Sequence, residues 1–348
     1  MRRIVLASLP LIALAAFAAP VAVRAVEPDA PDLAVAVPAE ADPAQASARV
    51  KAAIANRPAN EILSISGTQR IDDQVIYVDT LRFDDGATMQ LLAGDRDAIF
   101  IVAKEVRLSG PRFKANIEFY DRAPVNGANG SAPPAAQAKL PRSGSNGADG
   151  VAGRAGDPGK PGATRKLPTI YIVVGKVRQS TGGEADFSDW RIFADGIDGG
   201  SGGRGGRGQD GQSGQDGRHG ETRYGICSKG PRSGGNGGAG GDFGPGGRGG
   251  NGGDGATVIF IVPGSTVDAI KDVRVRNRGG LPGQGGLNGQ PGNGGSGGAR
   301  GSRPGNCSGA SPGADGPLGE TPPTLRAPGG TAEGARGRVF YHVVEFFS

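Results

Sequence analysis

Glycine recurs at every third position over long stretches of this chain. In-phase glycines occupy four tracts, at 144–162, 196–220, 235–253 and 280–301, and the second tract holds nine of them without a break. A polyproline-II helix has three residues per turn, so glycines in this phase line one edge of the helix. Because glycine has no Cβ, a neighbouring backbone can approach that edge closely. The period therefore predicts glycine-rich extended helices that pack against other backbone.

Three kinds of packing are compatible with this period. The stretch 157–162, with sequence DPGKPG, fits a collagen triple helix. The other tracts are built from Gly-Gly-x triplets with little proline, and extra glycine weakens a triple helix through the entropy of the unfolded chain. A Gly-Gly-x helix has glycine along two of its three edges, which instead favours helices packed side by side within one chain. Disordered excursions remain a third possibility.

The composition excludes two common architectures. Glycine and proline make up about 26% of the 348 residues, hydrophobic residues 36% and aromatic residues 5%. This leaves too little side-chain volume for one large core of a conventional α/β enzyme. A helical bundle is excluded because glycine costs about 1 kcal/mol per helical position relative to alanine.

Short apolar segments separate most of the tracts. They start at residues 98, 169, 257 and 339 and are nearly all Ile, Val, Phe and Tyr. We interpret them as an irregular internal repeat of strand plus glycine-rich excursion. Strands of this composition are typical of burial on both faces.

The chain divides into four regions. Residues 1–25 have the layout of a secretory signal peptide, with Arg2 and Arg3, an apolar run and small residues before the cleavage point. A flexible leader, 26–60, contains one possible helix over 42–57, with Asp42 as N-cap and Pro43 in the first turn. Residues 61–120 form the predicted β-strand domain, and 121–348 form the glycine-rich triplet-repeat region with interleaved strands.

Export follows from the predicted signal peptide. We expect the protein in the periplasm, at the cell surface or outside the cell, with no integral membrane segment after cleavage. Without its first 25 residues the chain has a formal net charge of +2 instead of +5. The sequence shows no concentrated basic patch, so nucleic acid is not an expected partner.

The two cysteines, Cys227 and Cys307, predict one disulfide in an oxidising compartment. Two free thiols or a metal site are the alternatives. The motif Gly-Gly-x-Gly-x-Asp, the core of the calcium-binding β-roll repeat, ends at Asp210, Asp242 and Asp254. The apolar residue that should follow is missing or replaced, so we expect no cofactor and keep Ca²⁺ as a secondary alternative.

No catalytic residue is predicted. The two Gly-x-Ser-x-Gly matches, at 199–203 and 294–298, lack the strand and helix that a nucleophile elbow requires. Aromatic side chains on loops are the candidate binding residues, because such rings stack on sugars or anchor a protein partner. They are Trp190, Phe187, Tyr224 and Phe243.

The triplet tracts and the signal peptide resemble bacterial secreted proteins of the collagen-like and glycine-rich kinds; the closest stretch is GSNGADGVAGRAGDPGKPG at 144–162. The alternation of Gly-Gly-x tracts is similar to the polyglycine-II sandwich of phage tail-tip adhesins, in which loops between glycine helices bind the host. The segment TLRFDDGATMQLL, at 80–92, is similar to rungs of parallel β-helix proteins of the pectin-lyase type.

These features together predict an all-β protein, a β-solenoid or β-sandwich interleaved with polyproline-II- or polyglycine-II-like tracts. The expected function is structural or adhesive, with a glycan or a surface protein bound through loops between tracts, and self-association is possible. The alternative is a β-helical carbohydrate-active enzyme that cleaves acidic polysaccharide.

Overall fold

A computed structural model describes residues 41–109, 115–134, 146–179 and 189–347. The predicted signal peptide, residues 26–40 of the predicted leader and Phe187 lie outside these ranges. The strands are β1 (Asn60–Ile65), β2 (Thr68–Ile71), β3 (Val75–Phe83), β4 (Thr88–Leu91), β5 (Ala98–Leu108), β6 (Ala115–Phe119), β7 (Thr169–Gln179), β8 (Trp190–Phe193), β9 (Glu221–Arg223), β10 (Ile226–Lys229), β11 (Val258–Val262), β12 (Arg274–Arg276) and β13 (Val339–Val343), and the helices are α1 (Pro43–Ile54) and α2 (Val267–Lys271).

Most strands belong to two parallel sheets. The first has the order β1-β3-β5-β7-β11-β13 and the second the order β12-β8-β6-β4-β2. Every neighbouring pair in both sheets is parallel. From β1 to β8 the chain alternates between the two sheets, and β11, β12 and β13 resume that alternation. The protein is therefore mostly β with little helix, as the sequence predicted, and its two main sheets are parallel.

The predicted internal repeat corresponds to adjacent strands. Ile99 pairs with Ile170, Ile170 with Val258, and Val258 with Val339, so the four apolar segments stack in one register. The strands on both sides of residue 121 therefore belong to the same sheets. The side chains of β5, β7 and β11 are buried alternately in a core between the sheets and in a second cluster on the outer face of the first sheet. Burial on both faces explains why these segments are almost entirely apolar.

Helix α1 covers the outer face of the first sheet. Its predicted N-cap is confirmed, because Asp42 Oδ1 accepts a hydrogen bond from the Ala44 N–H at 2.9 Å. Val50 is fully buried in the outer cluster, and the guanidinium of Arg49 lies 5.6 Å from the ring centre of Tyr171. No helix in the described part of the chain is long and apolar enough to cross a membrane.

Six extended tracts occupy the chain between the later strands. In chain order they span 125–134, 147–163, 196–220, 232–256, 277–301 and 311–337, and we call them tracts 1 to 6. The sequence pattern identified tracts 2 to 5. Tracts 1 and 6 were missed, although Gly127 and Gly130, and later Gly313, Gly316 and Gly319, are also three residues apart.

The tracts are joined by backbone hydrogen bonds in steps of three residues. Successive tracts are antiparallel: Gly203 and Gly206 of tract 3 donate to the carbonyls of Lys160 and Asp157 in tract 2. Alternate tracts are parallel: Gly202 of tract 3 donates to Gln284 of tract 5 at 2.8 Å. The acceptors lie within the same chain, which is the side-by-side packing that the Gly-Gly-x triplets favoured.

Within the tracts, glycine is required where another tract passes. A Cβ on Gly206 would lie 2.1 Å from the carbonyl oxygen of Ser131 in tract 1. The next residue in the same phase is Gln209, whose Nε2 donates to the carbonyl of Pro134 and whose Oε1 accepts the Arg154 N–H at 3.0 Å. The change from Gly-Gly-x to Gly-Gln-x in tract 3 thus coincides with the end of the described contacts to tract 1.

The tracts continue the sheets. Tracts 1, 3 and 5 follow β6, β8 and β12, which are neighbours in the second sheet, whereas tracts 2, 4 and 6 lead into β7, β11 and β13, which are neighbours in the first. Each pair of tracts is a long excursion from one sheet that returns to the other. The turns at the far ends are therefore the segments most distant from the sheets along the chain.

Candidate binding tip

The far ends of the second and third excursions are joined by the predicted disulfide. Cys227, in β10, is bonded to Cys307, which follows tract 5, and their Cα atoms are 5.0 Å apart. We call residues 218–232 and 300–310 together the tip. The bond holds two segments side by side that are about 80 residues apart in sequence.

A two-residue turn gives the tip its most exposed ring. Strands β9 and β10 form an antiparallel hairpin connected by Tyr224 and Gly225, whose φ angles are 51° and 73°. A turn with positive φ at both positions normally carries Asn, Asp or Gly in the first. Tyr224 is strained there and is 89% exposed. The ring adds nothing to a core. Among the three predicted binding residues within the described ranges, Tyr224 is the one fully at the surface.

A guanidinium lies beside this ring, and an exposed apolar residue follows two positions later in the chain. Ile226 is 71% exposed, and the guanidinium carbon of Arg223 lies 5.5 Å from the ring centre of Tyr224. Exposed apolar side chains next to an aromatic ring are typical of surfaces that contact a partner. The two segments of the hairpin thus present aromatic, aliphatic and cationic groups together.

The tip is strongly basic. Its cations are all exposed, and they are Arg218, Arg223, Lys229, Arg232, Arg300 and Arg303, against a single acid, Glu221. The prediction from the sequence that the chain has no concentrated basic patch is therefore wrong. The cations are divided between two distant segments, and only the disulfide and the tract packing bring them together.

Glu221 is shared between two of these cations. Its carboxylate lies 2.9 Å from Lys229 Nζ and 3.0 Å from Arg218 Nη2. Hydrogen bonds from Lys229 and then Arg218 hold the pKa of this carboxyl below its ordinary value. One carboxylate cannot neutralise six cations, so the tip keeps a large positive excess.

The other predicted aromatic residues lie elsewhere. Trp190 is 1% exposed in β8 and packs against Phe83 at a ring-centre distance of 6.1 Å, so its ring belongs to the core between the sheets and is not available to a ligand. Phe243 is half-buried in tract 4. Phe187 lies outside the described residues.

The three candidate calcium ligands are engaged with backbone amides. Asp210, Asp242 and Asp254 each accept an N–H of a neighbouring tract through Oδ1, at 2.7 to 2.9 Å. Asp195 and Asp198 do the same. Short acidic side chains at the outward position of a triplet therefore link adjacent tracts. No group of three or more potential metal ligands occurs among the residues that the structure describes.

A concave surface lies where the C-terminal residues meet the first sheet. This cleft has a volume of about 470 Å³, and its charged lining residues are Asp79, Lys104, Glu105, Lys176 and Glu345. Lys104 Nζ lies 2.6 Å from Asp79 Oδ1, and this hydrogen bond raises the pKa of Lys104. Glu105 pairs with Arg107 at 2.5 Å and with Arg178 at 3.7 Å. Two of the three acids that line the cleft are thus held in ion pairs.

Comparison of the chain with protein-family models, with curated proteins and with solved structures finds no match to any of them.

Proposed function

We propose that the described chain is a two-sheet β-solenoid extended by a two-layer slab of polyglycine-II-like helices. The alternation of strands between parallel sheets supports the first part. The period-three hydrogen bonds, and the glycines that face passing backbone, support the second. In this architecture the solenoid is the base and the slab is a stiff support for the tip.

We propose that this is an exported structural or adhesive protein of the cell surface or the extracellular space, and that the tip binds a glycan or a protein. The observation that carries the proposal is the tip itself: a strained, fully exposed Tyr224 beside Ile226 and six cations, fixed by a disulfide. A disulfide also agrees with an oxidising compartment. The proposed binding needs no cofactor.

The test is attachment of cells, or of beads coated with the protein, to a host or matrix surface. Tyr224→Asn removes the ring and places at this turn position a residue that accepts positive φ, so the fold should be kept or slightly stabilised. We expect attachment to fall several-fold. Ile62→Asn is the matched control, since Ile62 is 62% exposed on β1, in the proposed solenoid base. Unchanged attachment of cells that lack the gene, or equal attachment by the Tyr224 variant and the wild type, would contradict the proposal.

A β-helical enzyme acting on acidic polysaccharide is the second candidate. The cleft favours it, because carboxylates and lysines line a concavity beside a parallel sheet. This candidate requires purified protein to release new chain ends from a uronate polymer. Asp79→Asn with Glu105→Gln should abolish that release, whereas the tip variant should retain it.

A further inference from the structure

We propose that the tip recognises an anionic polysaccharide. This inference rests on the proposed function and specifies the ligand of the same site. The first reason is the distribution of charge. Residues 26–348 carry a formal net charge of +2, and the tip alone carries +5, so the remainder of those residues is at −3. The net positive charge of these residues is therefore concentrated in the tip.

The second reason is the state of the cations. Glu221 engages Arg218 and Lys229, while the Arg303 guanidinium donates to the carbonyl of Ala310. The Arg223 and Arg300 side chains are exposed at the surface of the two segments. A guanidinium offers a planar fork of donors that matches a carboxylate, sulfate or phosphate group in a bidentate manner. Cations on both segments suit a ligand whose charges repeat along a chain.

The third reason is the ring of Tyr224. A tyrosine at φ 51° holds the backbone in a strained conformation that Asn or Asp would adopt more easily. The ring packs against no core and offers one open face to solvent beside the Arg223 guanidinium. An apolar ring face bordered by cations fits a sugar ring that carries an acidic substituent.

The shape of the tip favours a polymer over a small molecule. Every residue of 221–230 except Cys227 is exposed, and the cations of the tip are spread over 218–232 and 300–310. Small ligands are normally bound in concave sites that bury most of their surface. A chain of acidic sugars can lie across an exposed surface and gain affinity from several contacts at once.

Binding of the mature protein to immobilised alginate, a uronate polymer, tests the proposal, with dextran as the neutral control polymer. The tip variant is Arg223→Gln with Arg300→Gln. The matched control is Arg57→Gln with Arg204→Gln, which removes the same charge from exposed positions outside the tip. We expect the tip variant to bind alginate more than about 10-fold more weakly at low salt, and the control to change less than about 2-fold. Wild-type binding should weaken steeply as salt is raised, and dextran should not bind.

Equal losses in the two variants would overturn the proposal, because they would indicate attraction by net charge alone. Tighter, tip-dependent binding of a duplex DNA fragment would also overturn it, since nucleic acid would then be the preferred polyanion. If alginate does not bind while Tyr224→Asn still abolishes cell attachment, the adhesive function stands and the ligand class is wrong. If neither alginate binding nor attachment depends on the tip, both proposals fail.

Discussion

Alanine in place of Gly241 tests the packing of the tracts most directly. Gly241 lies in the middle of tract 4, where its N–H donates to Gln209 at 2.7 Å and its carbonyl accepts from Gly292 at 2.8 Å. A Cβ on this residue would lie 2.0 Å from the carbonyl oxygen of Arg154 in tract 2. Carbon and oxygen normally approach no closer than about 3.3 Å, so tracts 2 and 4 would have to separate by more than about 1 Å.

This separation has a cost that the neighbouring hydrogen bonds define. Gly153 donates to Ala239 at 2.8 Å and Gly156 to Asp242 at 3.1 Å, both from tract 2 to tract 4. A stretch of about 1 Å takes both bonds beyond hydrogen-bonding distance. Each unsatisfied amide costs about 1–3 kcal/mol, and alanine returns about 0.4–1 kcal/mol by restricting the unfolded chain. We therefore expect Gly241→Ala to lower the free energy of unfolding by about 1–5.5 kcal/mol.

Denaturant unfolding of the variant and the wild type measures this difference. Gly264→Ala is the matched control, because Gly264 is exposed and the nearest atom to its Cβ would be Val343 Cγ1 at 3.9 Å. That change should be neutral or stabilise by up to about 1 kcal/mol. A free energy of unfolding for Gly241→Ala within about 0.5 kcal/mol of the wild type would refute the close packing of tracts 2 and 4.

Three further perturbations address the core, the tip and the base of the first excursion. Trp190→Ala should lower the free energy of unfolding by about 3–5 kcal/mol in denaturant titrations, because the side chain is fully buried. If this variant instead lost attachment as strongly as Tyr224→Asn, Trp190 would have a binding function. Cys227→Ser opens the bond to Cys307, which closes a loop of about 80 residues, and should cost about 4 kcal/mol in the same titration; no change would mean that the tract contacts alone hold the tip. Asp121 is hydrogen-bonded to Arg165 at 2.8 Å, and this bond lowers the pKa of its carboxyl. The stability that this hydrogen bond adds is present above the ordinary carboxyl pKa of about 3.9, and it is lost as pH falls through the lower pKa of the folded state. The thermal unfolding temperature of Arg165→Ala should therefore depend less on pH than that of the wild type between about pH 4.5 and 2.5.

The sequence predicts the buried strands well, and the short or polar ones poorly. Strands β5, β7, β11 and β13 are visible as apolar runs because most of them are buried on both faces. Strands β2 and β12 are short and partly charged, and they are the two edge strands of the second sheet. Their pairing depends on neighbours that are distant in sequence, and no local pattern shows it.

The tracts and the tip could likewise be predicted from the sequence only in part. The inner tracts need two glycine edges and reveal themselves by Gly-Gly-x triplets, whereas tracts 1 and 6 lie at the edges of the hydrogen-bonded set, need fewer glycines, and lack a strong period. The tip was partly visible, because the glycine phase stops at 220 and again at 301, and a cysteine follows each stop. Its charge was hidden, because the cations of each segment are unremarkable until the disulfide brings the segments together.

The step of three residues in the tract hydrogen bonds also determines how such a molecule can change in length. At about 3.1 Å per residue, the 25 residues of tract 3 extend about 75 Å, and one triplet adds about 9 Å. A single inserted residue would turn the glycine edge away from its neighbour, but a whole triplet added to every tract keeps the glycine edges in phase and leaves the disulfide-linked ends side by side. The distance between base and tip is thus quantised, and homologous excursions are expected to differ in length by multiples of three residues. Reach can then evolve without any change in the sheets or in the ligand-binding end.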